Sequence, residues 1–219
     1  MSNPETSGGK TMVRKKRKLL LTLAAVLIAA ALTACSSGQT VKFGTAGIGG
    51  NYYLLGTAYA GYASDDIKTL KIEARETAGS AANLRLMSED YIQLAIVQAD
   101  TITDAVLAGN DSFSAIGSLY TEYCQIVTPA DSGIQSVTDL MGRSISIGEE
   151  ESGTEKNAVQ ILQAYGINTA VLDAKNMTYS EAAAAMKSGD IEAMFVTAGA
   201  QTAVIEELAK EMDIRFLNV

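Results

Sequence analysis

No histidine and no tryptophan occur among the 219 residues, and cysteine and proline occur only twice each. The missing histidine removes the commonest general base and metal ligand, so serine–histidine chemistry and histidine-bound metal are excluded. Two cysteines allow at most one disulfide. Basic residues are scarce after position 34: residues 1–34 take one of the 25 acidic and six of the 17 basic residues, leaving 24 against 11 and a net charge of about −13. A body that acidic is not a nucleic-acid partner. Its stability has to come from packing, and the abundant Ala, Val, Ile and Leu are enough to bury about 70% of the unfolded surface in one or two lobes.

The first informative segment is basic and then apolar. Arg14-Lys15-Lys16-Arg17-Lys18 precedes Leu19 to Ala34, 16 nearly all apolar residues that end Leu32-Thr33-Ala34-Cys35. This is a secretory signal peptide, with Met12 as an alternative start, and it is short of the roughly 20 residues a membrane span needs. Small residues before a cysteine resemble the lipobox of bacterial lipoproteins, which implies cleavage before Cys35 and its acylation. Residues 1–34 are therefore expected to be a leader, 35–40 a tether, and Cys124 a buried, unpaired thiol.

From Val41 onward, apolar strands alternate with amphipathic helices. Val41 to Thr45 is strand-like, and Leu55, Ala58, Tyr59 and Tyr62 fall on one helical face. Leu70 to Ala74 alternates, Ser80 caps a helix with Leu84 and Met87 inward, Leu94 to Val97 is a strand, and Asp100 caps a helix ending at Gly109. Ala115 to Tyr120 and Cys124 to Thr128 read as two strands with a short connection, which breaks the rhythm and marks a passage between lobes. The second series runs through a short helix capped by Ser136, a strand at 145–148, a helix with Ala158, Ile161, Leu162 and Tyr165 on one face, a strand or loop at 169–173, a helix from Ser180 to Ser188, the strand Ile191 to Val196, a helix with Ile205, Leu208, Ala209 and Met212 inward, and the strand Ile214 to Val219. The expected fold is α/β: parallel sheets covered by helices, in two lobes with a cleft.

Ligands of open α/β sheets collect at the loops after the strands. Four such loops stand out. Gly47-Ile48-Gly49-Gly50-Asn51-Tyr52-Tyr53 is neither a dinucleotide fingerprint nor a P-loop, and is either a tight turn or a recognition loop with free helix-start amides. In Thr77 to Asn83, Ser80 either donates to a carboxylate or caps its helix. Gln98 ends a buried strand and faces a cleft, while Asp100 beside it reads as a cap. Ser152-Gly153-Thr154-Glu155 is a hydroxyl-rich turn that caps a helix or meets a ligand. An enzyme built on Ser152, Thr154 and Glu155 would need a base beside the serine, and neither Ser-x-x-Lys nor Gly-x-Ser-x-Gly is present.

Six strings in order resemble the TAXI-type solute receptors of TRAP transporters: Gly49-Gly50-Asn51-Tyr52-Tyr53, Ala78 to Leu84, Ala95 to Asp100, Ala130 to Ile134, Ser152 to Glu155 and Phe195 to Gly199. Asn51 and Ala78 depart from the family's usual threonine and glycine. The resemblance implies a two-lobed, type II periplasmic-binding-protein-like fold, each lobe a parallel or mixed sheet flanked by helices, with 41–123 as the first lobe and 124–219 as the second. It also implies a non-enzymatic extracytoplasmic receptor, held to the membrane by its lipid, that captures a small organic anion or amino acid (glutamate-like, dicarboxylate or oxo acid) and passes it to an ion-driven permease. An ATP-driven importer and a structural or adhesive surface lipoprotein are the alternatives. No cofactor and no metal are expected. The implied contacts are Gly49, Gly50 and Asn51 at a helix start, Tyr52 and Tyr53 as a wall, Ser80, Asn83 and Gln98 from the first lobe, and Thr154, Glu155, Thr197 and Gln201 from the second, with Glu155 suited to a ligand amino group. Members of that family continue past the strand matching Ile214 to Val219 and return to the first lobe; this sequence stops before that return, which is expected to leave apolar faces of that lobe exposed.

Overall fold

The computed structural model of the protein describes residues 39–110 and 112–219. The leader, Cys35 and most of the tether lie outside the described residues. The first lobe is a three-stranded sheet, β1 (Gln39–Gly44), β2 (Leu70–Arg75) and β3 (Leu94–Ala95), with helices α1 (Asn51–Asp66), α2 (Ser80–Ser88) and α3 (Ala99–Leu107) between and after the strands. The sheet order is β2-β1-β3, and β1 and β3 run parallel, with Phe43 opposite Leu94.

The second lobe contains β4 (Tyr123–Pro129), β5 (Ser144–Ser146), α4 (Gly153–Ala164), β6 (Asp173–Lys175), α5 (Tyr179–Ser188), β7 (Ala193–Ala198), α6 (Ala203–Glu211) and β8 (Ile214–Phe216). Its sheet has the order β6-β5-β7-β4-β8. β5 is parallel to β6 and β7, whereas β4 is antiparallel to both of its neighbours, β7 and β8. The sheet is therefore mixed rather than parallel throughout. Strands joined by βα units all run one way, and β4 opposes them because it arrives from the other lobe instead of through such a unit.

β7 explains why this sheet forms the centre. All six of its residues are buried, and successive side chains point to opposite faces. Phe195 joins Ile126, Ile145, Ala158 and Leu162 on the face covered by α4. Met194 and Val196 join Met186, Ile205 and Leu208 under α5 and α6. Ser136 and Asp139 close a reciprocal capping box at the start of a 3-10 turn, Val137–Leu140.

Several expected elements shift. α1 turns its other face inward: Gly56 and Ala60 are buried, while Ala58, Tyr59 and Tyr62 are exposed and Leu55 is only half-buried. The same spacing runs through a stripe of small residues, and that stripe permits a closer approach. A Cβ on Gly56 would lie 2.3 Å from Thr45 Cγ2, and Ser64 Oγ accepts a bond from the Ile72 amide at 2.8 Å. Tyr59, Tyr62, Leu107 and Ile116 of the first lobe are large exposed apolar residues. Ala115 to Tyr120 pairs with no strand among the described residues and crosses between the lobes without regular secondary structure. Residues Thr169–Val171 form a 3-10 turn ahead of β6. The α2 cap position belongs to Gly79, not Ser80, and α5 starts at Tyr179 behind a Thr178 cap, earlier than Ser180.

Candidate functional site

The two lobes meet through polar contacts. Across the cleft, the Ala81 and Ala82 amides both donate to the Glu151 carbonyl at 3.1 Å, and the Arg85 guanidinium pairs with the Glu151 carboxylate at 2.7 Å. Glu151 sits at φ 63, in the left-handed region. Gln98 Nε2 donates to Asn157 Oδ1 at 3.2 Å and Asn157 Nδ2 to Asp100 Oδ2 at 3.0 Å. Lys156 adds an ion pair with Asp104 at 2.6 Å, and Ser180 donates to the Ile48 carbonyl at 3.3 Å. This is a closed arrangement.

Between the lobes lies a cavity in which the centre of a water-sized sphere moves through about 40 Å³, against the roughly 10–15 Å³ that one water requires. Seven of the residues singled out in the sequence line it: Gly50, Asn51, Tyr52, Ser80, Gln98, Thr154 and Thr197. Gly49, Tyr53, Asn83, Glu155 and Gln201 do not. Tyr53 faces an outer groove beside β2. Asn83 is fully buried inside the first lobe, donating to the carbonyls of Thr45 and Ile96 and accepting from Thr77 Oγ1. Both oxygens of Glu155 accept hydrogen bonds outside the cavity, one from the Glu151 amide and one from Asn176 Nδ2, each at 2.9 Å. Gln201 is exposed.

Five lining residues were not anticipated, Ala46 and four with polar side chains: Tyr120, Glu122, Glu149 and Tyr179. Tyr120 and Glu122 stand two apart in the crossing segment, and both reach the cavity. Tyr179 stayed hidden because the helix was expected to start one residue later. Its hydroxyl lies 2.6 Å from Thr154 Oγ1, donates to the Thr197 carbonyl at 2.9 Å and accepts from the Thr197 amide at 3.1 Å.

Glu122 is the electrostatic centre. Tyr52 OH donates to Glu122 Oε2 at 2.7 Å and Tyr120 OH to Oε1 at 3.1 Å, and the two rings meet edge to face with centroids 6.4 Å apart. Burial pushes the Glu122 carboxyl up, and donation from Tyr52, Tyr120 and Gln98 partly restores its ionised form. The Tyr52 and Tyr120 phenols are pushed far up, first by burial and then by the Glu122 charge; both stay protonated donors. No lysine or arginine lines the cavity among the described residues. The starts of α1 and α4 open onto it, and the first-turn amides of Gly153 and Thr154 have no partner among the described residues, so the site offers anion-binding N–H groups alongside its carboxylates.

Glu149 projects from the second lobe against Gly47 of the first. Burial, then the charges of Glu76 and Glu181, push its carboxyl up to about 7. The folded, closed form thus holds this proton more tightly than the unfolded chain, so the Glu149 contribution to stability is full below the ordinary value of 4.5 and is lost as pH rises through about 7. Glu149→Gln is expected to flatten this part of a melting-temperature profile taken from pH 4.5 to 8; an unchanged slope would refute the assignment.

The fold matches that of solved binding proteins. An alkanesulfonate-binding protein from Xanthomonas axonopodis pv. citri, solved with MOPS, is 18% identical with a TM-score of 0.57, covering 82% of this chain and 60% of its own. An ancestral arginine-binding protein solved with arginine is 16% identical with a TM-score of 0.57, covering 84% of this chain and 80% of its own. A binding-protein component of an ABC phosphonate transporter from Pseudomonas aeruginosa is 13% identical with a TM-score of 0.59, covering 83% and 65%. The chain spans about 60% of the length of the alkanesulfonate-binding protein it resembles. At these identities the likeness is one of fold, and it establishes the periplasmic-binding-protein-like architecture. Residues 43–219 match the NMT1-like family, and the chain belongs to that family.

Proposed function

We propose that this protein is the capture component of a solute importer, exported, tethered through an acylated Cys35, and closing its lobes around a small organic anion or amino acid. The observation that carries this reading is a cavity lined by polar side chains from both lobes, which are already bonded to each other across the cleft. Buried donors and acceptors are costly unless something satisfies them, and a captured solute does so. An enzyme is disfavoured, because the Ser152 hydroxyl serves as helix cap to the Glu155 amide at 2.9 Å. An adhesive surface protein would have no need of such a cavity.

The test is calorimetric titration of the full chain with amino acids, dicarboxylates, oxo acids and sulfonates one at a time. Saturable binding of one class, accompanied by a rise in melting temperature, is expected. Heats that never saturate for any of them would remove the receptor reading.

The TAXI-like strings favour an ion-driven TRAP permease as the recipient. Similar folds named for an amino acid ABC transporter and an ABC phosphonate transporter favour an ATP-driven one as the second reading. Uptake into vesicles carrying the cognate permease separates them: loss on collapsing the ion gradient supports the first, dependence on ATP the second.

A further inference from the structure

Gln98 carries a buried side-chain oxygen that has no partner among the described residues. The residue is 8% exposed, its Oε1 is buried without a hydrogen-bond partner, and it lines the cavity. Its orientation is fixed by its neighbours. Thr197 Oγ1 donates to Asn157 Oδ1 at 3.1 Å and Asn157 Nδ2 donates to Asp100 Oδ2 at 3.0 Å, so Asn157 presents an acceptor to Gln98, and Gln98 must answer with Nε2. The oxygen is left over and calls for a donor. Beside it stands Glu122, a carboxylate that takes hydrogen bonds from Tyr52, Tyr120 and Gln98 and has no cation.

The charge balance points the same way. Two carboxylates, Glu122 and Glu149, line the cavity and no basic side chain does, among the described residues. A dianion placed there would add like charge in a partly dry site, which is unfavourable. A single ligand carboxylate has a place to go, at the open starts of α1 and α4.

Resting on the receptor reading, we propose that the solute is a zwitterionic amino acid whose ammonium group is held between the Glu122 carboxylate and Gln98 Oε1, while its carboxylate faces the helix starts. Glu122 thereby sets specificity, in the role the sequence had given to Glu155. Oxo acids and dicarboxylates lack the ammonium, and a quaternary ammonium has no N–H to give to Gln98.

The experiment is titration of the full chain with each proteinogenic amino acid, and with pyruvate, 2-oxoglutarate, succinate, methanesulfonate and glycine betaine. At least one amino acid is expected to bind saturably, with its oxo acid about 30-fold weaker, the scale of a charge-assisted hydrogen bond. Glu122→Gln is expected to weaken the amino acid by about 30-fold and Gln98→Leu by about five-fold. The wild-type comparison needs no variant, so it stands even where a substitution impairs folding. An amine-free acid or betaine that binds as tightly as the best amino acid would overturn the ammonium site and leave the receptor standing, as would a folded Glu122→Gln protein with unchanged affinity. Binding by none of the probes would instead overturn the receptor reading, and this proposal with it.

Discussion

Replacing Asn83 by alanine is expected to lower the unfolding free energy by about 3–5 kcal/mol, the range in which buried hydrogen-bond networks fail. The Asn83 side chain is wholly buried, with Nδ2 2.7 Å from the Thr45 carbonyl and 2.9 Å from the Ile96 carbonyl, and Oδ1 2.8 Å from Thr77 Oγ1. It staples the ends of β1 and β3 to the start of α2. Alanine would leave the Ile96 carbonyl with no side-chain donor and the Thr45 carbonyl with only the weaker Thr77 hydroxyl at 3.2 Å, and it would open a void as well. Urea unfolding measures the loss. A change below about 1 kcal/mol would mean that the network is compensated by water. Solute preference should be unaffected, which separates this role from ligand contact.

Gly153→Val is expected to leave the unfolding midpoint close to wild type and yet weaken solute binding by about 100-fold or more. A Cβ at Gly153 would lie 1.8 Å from Gln98 Oε1 and 2.4 Å from its Cδ, inside any permitted separation. Gln98 would have to leave, breaking its bond to Asn157 across the cleft. The clash exists only when the lobes are shut, so its cost of about 3 kcal/mol falls on the closed population and on affinity. Small-angle scattering would then report a larger radius of gyration in the presence of solute than wild type gives. A valine variant that binds and compacts normally would show that Gln98 has another place to go.

The residues show why some of this was legible in sequence. β7 announced itself because Met194-Phe195-Val196 is apolar on both faces, as a central strand must be. The loops at Asn51, Ser80, Gln98 and Thr154 were recognisable because helix starts after strands carry free amides. α1 was misread because two stripes of equal spacing competed, and aromatic size outweighed the tighter contact that Gly56 and Ala60 make. Asn83 and Glu155 were misplaced for another reason: a polar residue beside a binding loop looks the same in sequence whether it serves the ligand or the loop. Glu122 was missed because it lies in a crossing segment, whose neighbours are set by where the lobes meet and not by local pattern.

The Glu151 contact bears on how far the cavity can vary in sequence. Beside the Arg85–Glu151 ion pair, the lobes are joined there by a main-chain carbonyl, held in a left-handed conformation at a cost of about 1 kcal/mol and directed at two helix-start amides. Every residue type carries that carbonyl, so this one contact between the lobes does not depend on which side chains line the cavity. On the receptor reading, a substitution at a cavity position such as Glu122 leaves this main-chain contact between the lobes in place.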